Sequence, residues 1–345
     1  MSNRLPIEGE SVFEEKNISI KEIANLCNVS VATVSRVIND NGRFSEKTRK
    51  KVMDVIEQYD YKINMVAKSL RTNKSRAIGV LVPNINNEFF SSVVLEIENY
   101  FFPKGYSVFI CNTNGDEKRE REYLRDLDVK GVDGLIYISG LKSIPADDYL
   151  KRKIPMACID RKLNVNSDVV LVESDNRIGG FLATQELIKK GCKNILILKS
   201  YKDVSTSQER FYGYRDALQE NNLPVQEHLI KNIDITVEGA KQAVHHLIAQ
   251  GIKFEGIFAC NDWAALGSLI ALNENQISVP QQVKIVGFDN ITISKYSYPA
   301  ITTINQDKKR LGQEASEALL ELINGNFIRM QHIILPVSLV VRETT

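Results

Sequence analysis

No stretch of about 18 apolar residues occurs anywhere in the chain, so no membrane-spanning helix is expected. The opening residues, MSNRLPIEGESVFEEKN, have no basic start followed by an apolar core. That excludes a secretory signal and makes the cytoplasm the expected compartment. Cysteine is sparse: Cys27, Cys111, Cys158, Cys192 and Cys260 make an odd count of five with no CxxC pair. Neither a disulfide framework nor a zinc site fits that spacing, and buried free thiols are expected instead. Of the four histidines, His245 and His246 are adjacent and would point apart on a helix, so no metal cluster is expected either. The chain has no P-loop, HExxH or GxSxG, and no GxGxxG follows its first strand-like run. Without a recognisable nucleophile, metal cluster or phosphate loop, an enzyme is not expected, and no cofactor is implied. A transport binding protein would need an export signal, so that class also ranks low.

What the chain does have is unevenly placed charge. The net charge is only +1 over 345 residues. Residues 18–76 alone carry +6, residues 1–17 carry −2 and residues 77–345 carry −3. A short basic segment in an otherwise acidic chain is the electrostatic footprint of a nucleic-acid-binding module. A merely solvated basic surface would look the same, so the helix pattern has to decide.

Residues 1–17 are polar and acidic and read as a flexible leader. Ser19 and Glu22 then have capping-box spacing, followed by one apolar face made of Ile20, Ile23, Ala24 and Cys27. Asn28-Val29 makes a turn, and Ser30 starts a second helix expected to run to about Asn39. Val34, Val37 and Ile38 form its inner face; Ala32, Ser35, Arg36 and Asn39 form the outer one. Asn41-Gly42 breaks it, and Ser45 caps a third helix with a stripe of Val52, Val55, Ile56 and Tyr59. Two short helices across a tight turn, with a supporting third, describe a helix-turn-helix whose second helix enters the major groove. Arg36 faces outward, where it can grip guanine O6 and N7. Val31 and Ala32 are small enough to meet a thymine methyl. With Ser30, Thr33, Ser35 and Asn39 they form the expected base- and phosphate-contacting set.

From Ala77 onward, β-rich runs (AIGVLVP, SVFICN, GLIYIS, PMACID, NILILK, GIFAC, VKIVGF) alternate with helical stretches. This is the βαβ rhythm of parallel sheets covered by helices, which bind ligands at the carboxyl ends of their strands.

The run VSVATVSRVIN, the later VAKSL and the surrounding residues resemble the lac-repressor family of bacterial regulators, over essentially the whole chain after residue 17. The resemblance implies four segments: leader 1–17, helix-turn-helix headpiece 18–62, hinge helix and linker 63–76, and a sensor and dimerisation domain 77–345. The overall class is α/β, with a two-lobed sensor similar to periplasmic sugar-binding proteins. In the family, a hinge helix matching Asn64–Leu70 orders on the operator, and a leucine matching Leu70 wedges into the minor groove. Asn64, Lys68, Leu70 and Arg71 therefore join the expected DNA contacts. An isolated helix of about seven residues is unstable in water, which suits a conditional element.

The same resemblance implies an effector set. Asn87, Phe89 and Phe90 resemble the Asn-Pro-Phe-Phe of ribose-type binding proteins, whose aromatic rings sandwich a sugar. Asp160-Arg161, Arg210, Asn261, Asp289 and Gln306 match the partners of the sugar hydroxyls. Sugars offer apolar C–H faces to aromatics and a hydroxyl rim to carboxylates, guanidinium and amides. Taken singly, each residue also suits a core or surface role, so the ordered set carries the weight. Three departures stand out: Glu88 replaces the proline, no aromatic stands near Ile235, and the loop 200–208 is long and polar. The expected function is a dimeric repressor on a palindromic operator, controlled by a small sugar, with ribose favoured. The alternative is a catabolite-type regulator answering to a phosphoprotein corepressor; an unchanged response in Arg210→Ala would favour it. After VSLVV no leucine heptad follows, so a tetramerising coiled coil is not expected.

Overall fold

The computed structural model describes residues 18–38, 40–61, 74–138, 153–161, 169–202, 204–326 and 331–345. The leader, Asn39 and the hinge residues Asn64, Lys68, Leu70 and Arg71 lie outside the described residues. Contacts divide the chain into two compact units, Met1–Asn73 and Lys74–Thr345.

The smaller unit holds α1 (Ile20–Cys27), α2 (Val31–Ile38) and α3 (Glu46–Gln58). The Ser19/Glu22 capping box is formed in both directions. Asn28 ends α1 in the left-handed region at φ 51°, a conformation asparagine tolerates better than most residues. Ser30 then accepts from the Thr33 amide at 3.1 Å and starts α2. Ile23, Ala24, Cys27, Val34, Val37 and Val52 close a small core between the three helices. Tyr59 is not part of the α3 stripe: it is exposed, and Tyr61 packs against the core in its place.

The larger unit begins earlier than the sequence suggests. Ser75 and Arg76, expected in the linker, donate their backbone amides to the Asp133 carboxylate at 2.8 and 3.0 Å. Two six-stranded sheets follow. The first runs in the order β11–β5–β4–β3–β1–β2, from β1 (Ala77–Val82), β2 (Ser107–Asn112), β3 (Gly134–Ile138), β4 (Met156–Ile159), β5 (Val169–Ser174) and β11 (His332–Leu335). All its pairings are parallel. The second runs β12–β10–β9–β8–β6–β7, from β6 (Ile195–Ser200), β7 (Ile230–Ile233), β8 (Gly256–Ala259), β9 (Lys284–Asp289), β10 (Thr302–Asn305) and β12 (Ser338–Val340). Only β12 is antiparallel there. Central strands are buried on both faces, as parallel sheets require. Among the described residues the chain crosses between lobes three times: after β5, after β10 and after β11.

Helices α4 (Glu88–Phe101), α5 (Glu117–Lys130) and α11 (Lys308–Ile323) cover the first sheet. Helices α6 (Asn176–Lys189), α7 (Ser205–Glu220), α8 (Val237–Ala249) and α9 (Asp262–Glu274) cover the second. Helices α6 and α7 meet backbone to backbone. A Cβ on Gly180 would stand 2.1 Å from the Arg210 carbonyl, and one on Gly213 would stand 2.0 Å from the Arg177 carbonyl. Only glycine permits that approach, and it fixes Arg210 against α6. All five cysteines are buried and free, as expected. Among the described residues, no helix is long and apolar enough to cross a membrane. Nor does any group of three or more His, Cys, Asp or Glu there suit a metal ion.

Candidate functional site

Two surfaces carry the expected site residues. On the small unit, α2 presents Ser30, Val31, Ala32 and Arg36 to solvent, while Thr33 and Ser35 are half-buried. The helix buries Val34 and Val37, so its outer face is fixed by its inner one. Gly42, at φ +103°, lies against the Arg36 stem: a Cβ there would meet Arg36 Cδ at 3.3 Å. The side chain of Arg36 is thus supported along its carbons with its guanidinium outward.

In the large unit, a cleft of about 340 Å³ opens at the carboxyl ends of strands from both sheets. Asn84, Asn87, Phe89 and Phe90 follow β1; Asn114 and Gly115 follow β2; Asp160 follows β4. From the other lobe come Lys202, Thr206, Ser207 and Arg210 after β6, Asp234 to Thr236 after β7, Cys260-Asn261 after β8, and Asp289 at the end of β9. This is the position at which open α/β sheets bind ligands.

Its centre is a chain of buried hydrogen bonds. Asp160 accepts from the Ser174 amide at 3.0 Å and from Asn176 Nδ2 at 3.2 Å. Asn176 Oδ1 accepts from Arg210 Nε at 2.8 Å. The Arg210 guanidinium also donates to the Cys260 carbonyl, lies 3.6 Å from Asp289 Oδ1, and stacks on Phe288 at 3.6 Å from its ring centre. Gln306 Nε2 donates to Asp289 Oδ1 at 2.6 Å. Lys308 Nζ donates to the Asp289 carbonyl at 2.7 Å. Both carboxylates stand on residues in the left-handed region, Asp160 at φ 53° and Asp289 at φ 104°. Backbone strain of that kind persists only where surroundings enforce it.

Burial dominates the electrostatics. It pushes the Asp160 carboxyl up to about 7 and that of Asp289 up to about 6, with Arg210 opposing both shifts. Asp262 is fully buried behind them and is pushed up to about 8, helped by the nearby Asp289 charge. It accepts from Thr303 Oγ1 and from the Ile291 amide at 2.9 Å, tying the start of α9 to β10 and to the segment that follows β9. Burial also raises the Cys260 thiol to about 12, so it is no nucleophile at neutral pH.

Of the expected effector residues, Asn87, Phe89, Phe90, Asp160, Arg210, Asn261 and Asp289 line the cleft. Arg161 does not. Its guanidinium pairs with Glu120 at 2.6 Å and lies over the Tyr137 ring, so it braces the first lobe from behind. The pair Asp160-Arg161 splits because neighbouring residues leaving a strand point to opposite sides. Gln306 is buried behind Asp289 and reaches the cleft only through it. Asn261 lines the wall with both amide atoms engaged: Oδ1 caps α9 through the Ala264 amide, and Nδ2 donates to the Ile235 carbonyl. Phe89 and Phe90 meet edge to face at 73°, with Phe89 inside the lobe core, so they form one wall rather than a sandwich. Ile235 gives the opposite side an aliphatic patch, as expected.

Sequence reading missed Asn176, Asn84, Asn114, Lys202, Thr206 and Asp234. Asn176 opens α6 just after a strand, and a polar residue at that point is a signal that a ligand-binding sheet supplies. Glu88, at the position of the proline, does not line the cleft: its carboxylate accepts from the Thr292 amide at 3.0 Å and the Thr292 hydroxyl at 2.6 Å. Thr292 opens α10 (Thr292–Tyr296), between β9 and β10 of the second sheet, so this contact joins the lobes.

Comparison with known proteins agrees with this fold. Residues 19–64 match the model of bacterial regulatory proteins of the lacI family, and residues 184–345 match a periplasmic binding protein-like domain. A ribose operon repressor of Halalkalibacterium halodurans is 33% identical, over 95% of this chain and 97% of the relative. The transcriptional repressor PurR of Vibrio campbellii is 34% identical, over 94% of this chain and 98% of the relative. Among solved structures, a lac repressor dimer bound to operator and the anti-inducer ONPF superposes with a TM-score of 0.84. It is 26% identical and covers 95% of this chain and 99% of its own.

Proposed function

The chain belongs to the lacI family of bacterial regulatory proteins, and from that premise we propose that it is a dimeric repressor whose hold on a palindromic operator is set by a small neutral sugar in the cleft, ribose or a close relative. It is a DNA-binding transcriptional regulator rather than an enzyme, like the relatives it matches. The observation that carries the sugar reading is the buried chain from Asp160 through Asn176 and Arg210 to Asp289 and Gln306. It sets carboxylates and a guanidinium from two lobes around one cleft. Such groups satisfy adjacent hydroxyls by paired hydrogen bonds, while Phe90 and Ile235 accept C–H faces. A volume of about 340 Å³ sits at the small end of ligand sites and suits a monosaccharide.

On the DNA side, Arg36 reads guanine, Val31 and Ala32 meet thymine methyls, and Ser30, Thr33, Ser35 and Asn39 hold the register on phosphates and bases. The hinge set Asn64, Lys68, Leu70 and Arg71 follows the family pattern. Two-fold protein symmetry demands a two-fold operator. The sugar must bind the off-DNA arrangement better, a coupling of about 1–3 kcal/mol in typical cases. Fluorescence anisotropy on an operator, titrated with monosaccharides, tests this. The expected outcome is a roughly 5–150-fold loss of operator affinity with one sugar. If no sugar moves the affinity, the induction model fails.

A further inference from the structure

Asn176 does not line the cleft, yet it touches a charged residue of each lobe. It is 4% exposed and opens α6, where the chain first passes from one sheet to the other. Its Nδ2 donates to Asp160 Oδ1 at 3.2 Å and to the Ser174 carbonyl at 3.0 Å. Its Oδ1 accepts from Arg210 Nε at 2.8 Å. An amide suits this place because its nitrogen donates two hydrogen bonds while its oxygen accepts a third, which a hydroxyl with one proton does not do. A carboxylate would accept from Arg210 but face Asp160 with a second acceptor. An aliphatic side chain would do neither. The close approach of α6 to α7 at Gly180 and Gly213 fixes the backbone of Arg210 against α6, one turn beyond Asn176.

We propose that Asn176 is a positioning residue for the cleft: it holds the Asp160 carboxylate of one lobe and the Arg210 guanidinium of the other in one register, so that a ligand needing both finds them together in a single arrangement of the lobes. For its ligand-binding consequences this rests on the sugar reading above; the register itself is a property of the ligand-free chain. The charged groups facing the pair are Arg210 on α7, Glu173 on β5 and, beyond Arg210, Asp289 on β9.

The test uses the full chain as wild type, Asn176→Asp and Asn176→Leu, each checked for folding by circular dichroism and thermal melting. The ligand-free measurement is a carbon-13 carboxyl titration of Asp160. In the wild type it should titrate near 7. In Asn176→Leu the ionised form loses a donor, and in Asn176→Asp it gains a like charge, so both titrations should move up. The ligand measurement is calorimetry with D-ribose at pH 6 and pH 8. In Asn176→Asp, affinity should fall by about tenfold or more at pH 8 and recover at pH 6, where the carboxyl pair holds a proton. Asn176→Leu should bind weakly at both. Unchanged Asp160 titration in both variants overturns the proposal. So does ribose binding by both variants that equals the wild type at both pH values. If the wild type binds neither ribose nor any other monosaccharide, the sugar reading falls, and the ligand-free titration still decides the role of Asn176.

Discussion

The two working surfaces are built on opposite principles. On α2 the outer residues Val31, Ala32 and Arg36 are exposed and answer mainly to the helix that carries them. In the cleft, Asp160, Arg210 and Asp289 are each at least nine-tenths buried and answer to one another. A surface that reads a rigid duplex needs only its helix fixed. A surface that must close around a small molecule needs its charges arranged beforehand, since reorganising them would weaken binding. The helix face can therefore be edited one residue at a time, while the cleft responds as a network.

The largest expected effect is Arg210→Met. It leaves Asp160 and Asp289 without the cation that offsets their burial, and breaking a buried pair this way costs about 3–5 kcal/mol. Ribose binding should vanish while sugar-free operator binding persists. Both carboxyls are already raised by burial, and losing Arg210 raises them further. A raised carboxyl favours the folded state in its protonated form, and that support is lost as pH rises through the raised value. The melting deficit of the variant should therefore be larger at pH 8 than at pH 5.5. An equal deficit at both pH values would show that Arg210 acts by packing on Phe288 alone.

Asp262→Asn comes next. Asp262 is pushed up to about 8 by burial, so the folded protein holds its proton over a range where the unfolded chain releases it. Stability should fall as pH rises between about 4 and 8, by up to about 1.4 kcal/mol per pH unit from this group. The neutral amide keeps the shape and removes the titration. Relative to wild type, the variant should gain in melting temperature from pH 5 to pH 8. A constant difference would mean that the shift is not realised.

The contrast also explains what could be read in the sequence. The helix-turn-helix is local: caps at Ser19, Ser30 and Ser45 and apolar spacing specify it within about 40 residues, and the structure forms each cap. The strands with long apolar runs are equally legible. Thr302–Asn305 is not, because a buried strand of TTIN draws its partners from far along the chain: Asp262 for Thr303, and Thr344 for Thr302. In the cleft, Asn87, Phe89, Phe90, Asp160, Arg210, Asn261 and Asp289 were legible by type, whereas Asn84, Asn114, Lys202, Thr206 and Asp234, which line it beyond the strand ends, were not. Those that act through another residue were misplaced or missed, as Gln306, Arg161 and Asn176 illustrate. Their work depends on which neighbour lies within about 3 Å, and spacing along a chain does not encode that.

Arg36→Ala is the smallest of the three changes and the sharpest test of the exposed surface. The guanidinium is solvent-exposed, and its stem rests on Gly42, so truncation leaves no buried cavity. Stability should stay within about 0.5 kcal/mol of wild type, as for surface substitutions generally. Loss of one bidentate base contact should weaken operator binding by about 1–3 kcal/mol, with relaxed preference at one base pair. Ribose affinity should not change. If the variant instead lost affinity equally for operator and scrambled DNA, Arg36 would be a phosphate contact, since phosphate contacts position a protein without reading sequence. If ribose affinity changed too, the two surfaces would be coupled in the free protein, and the independence argued from their construction would not hold.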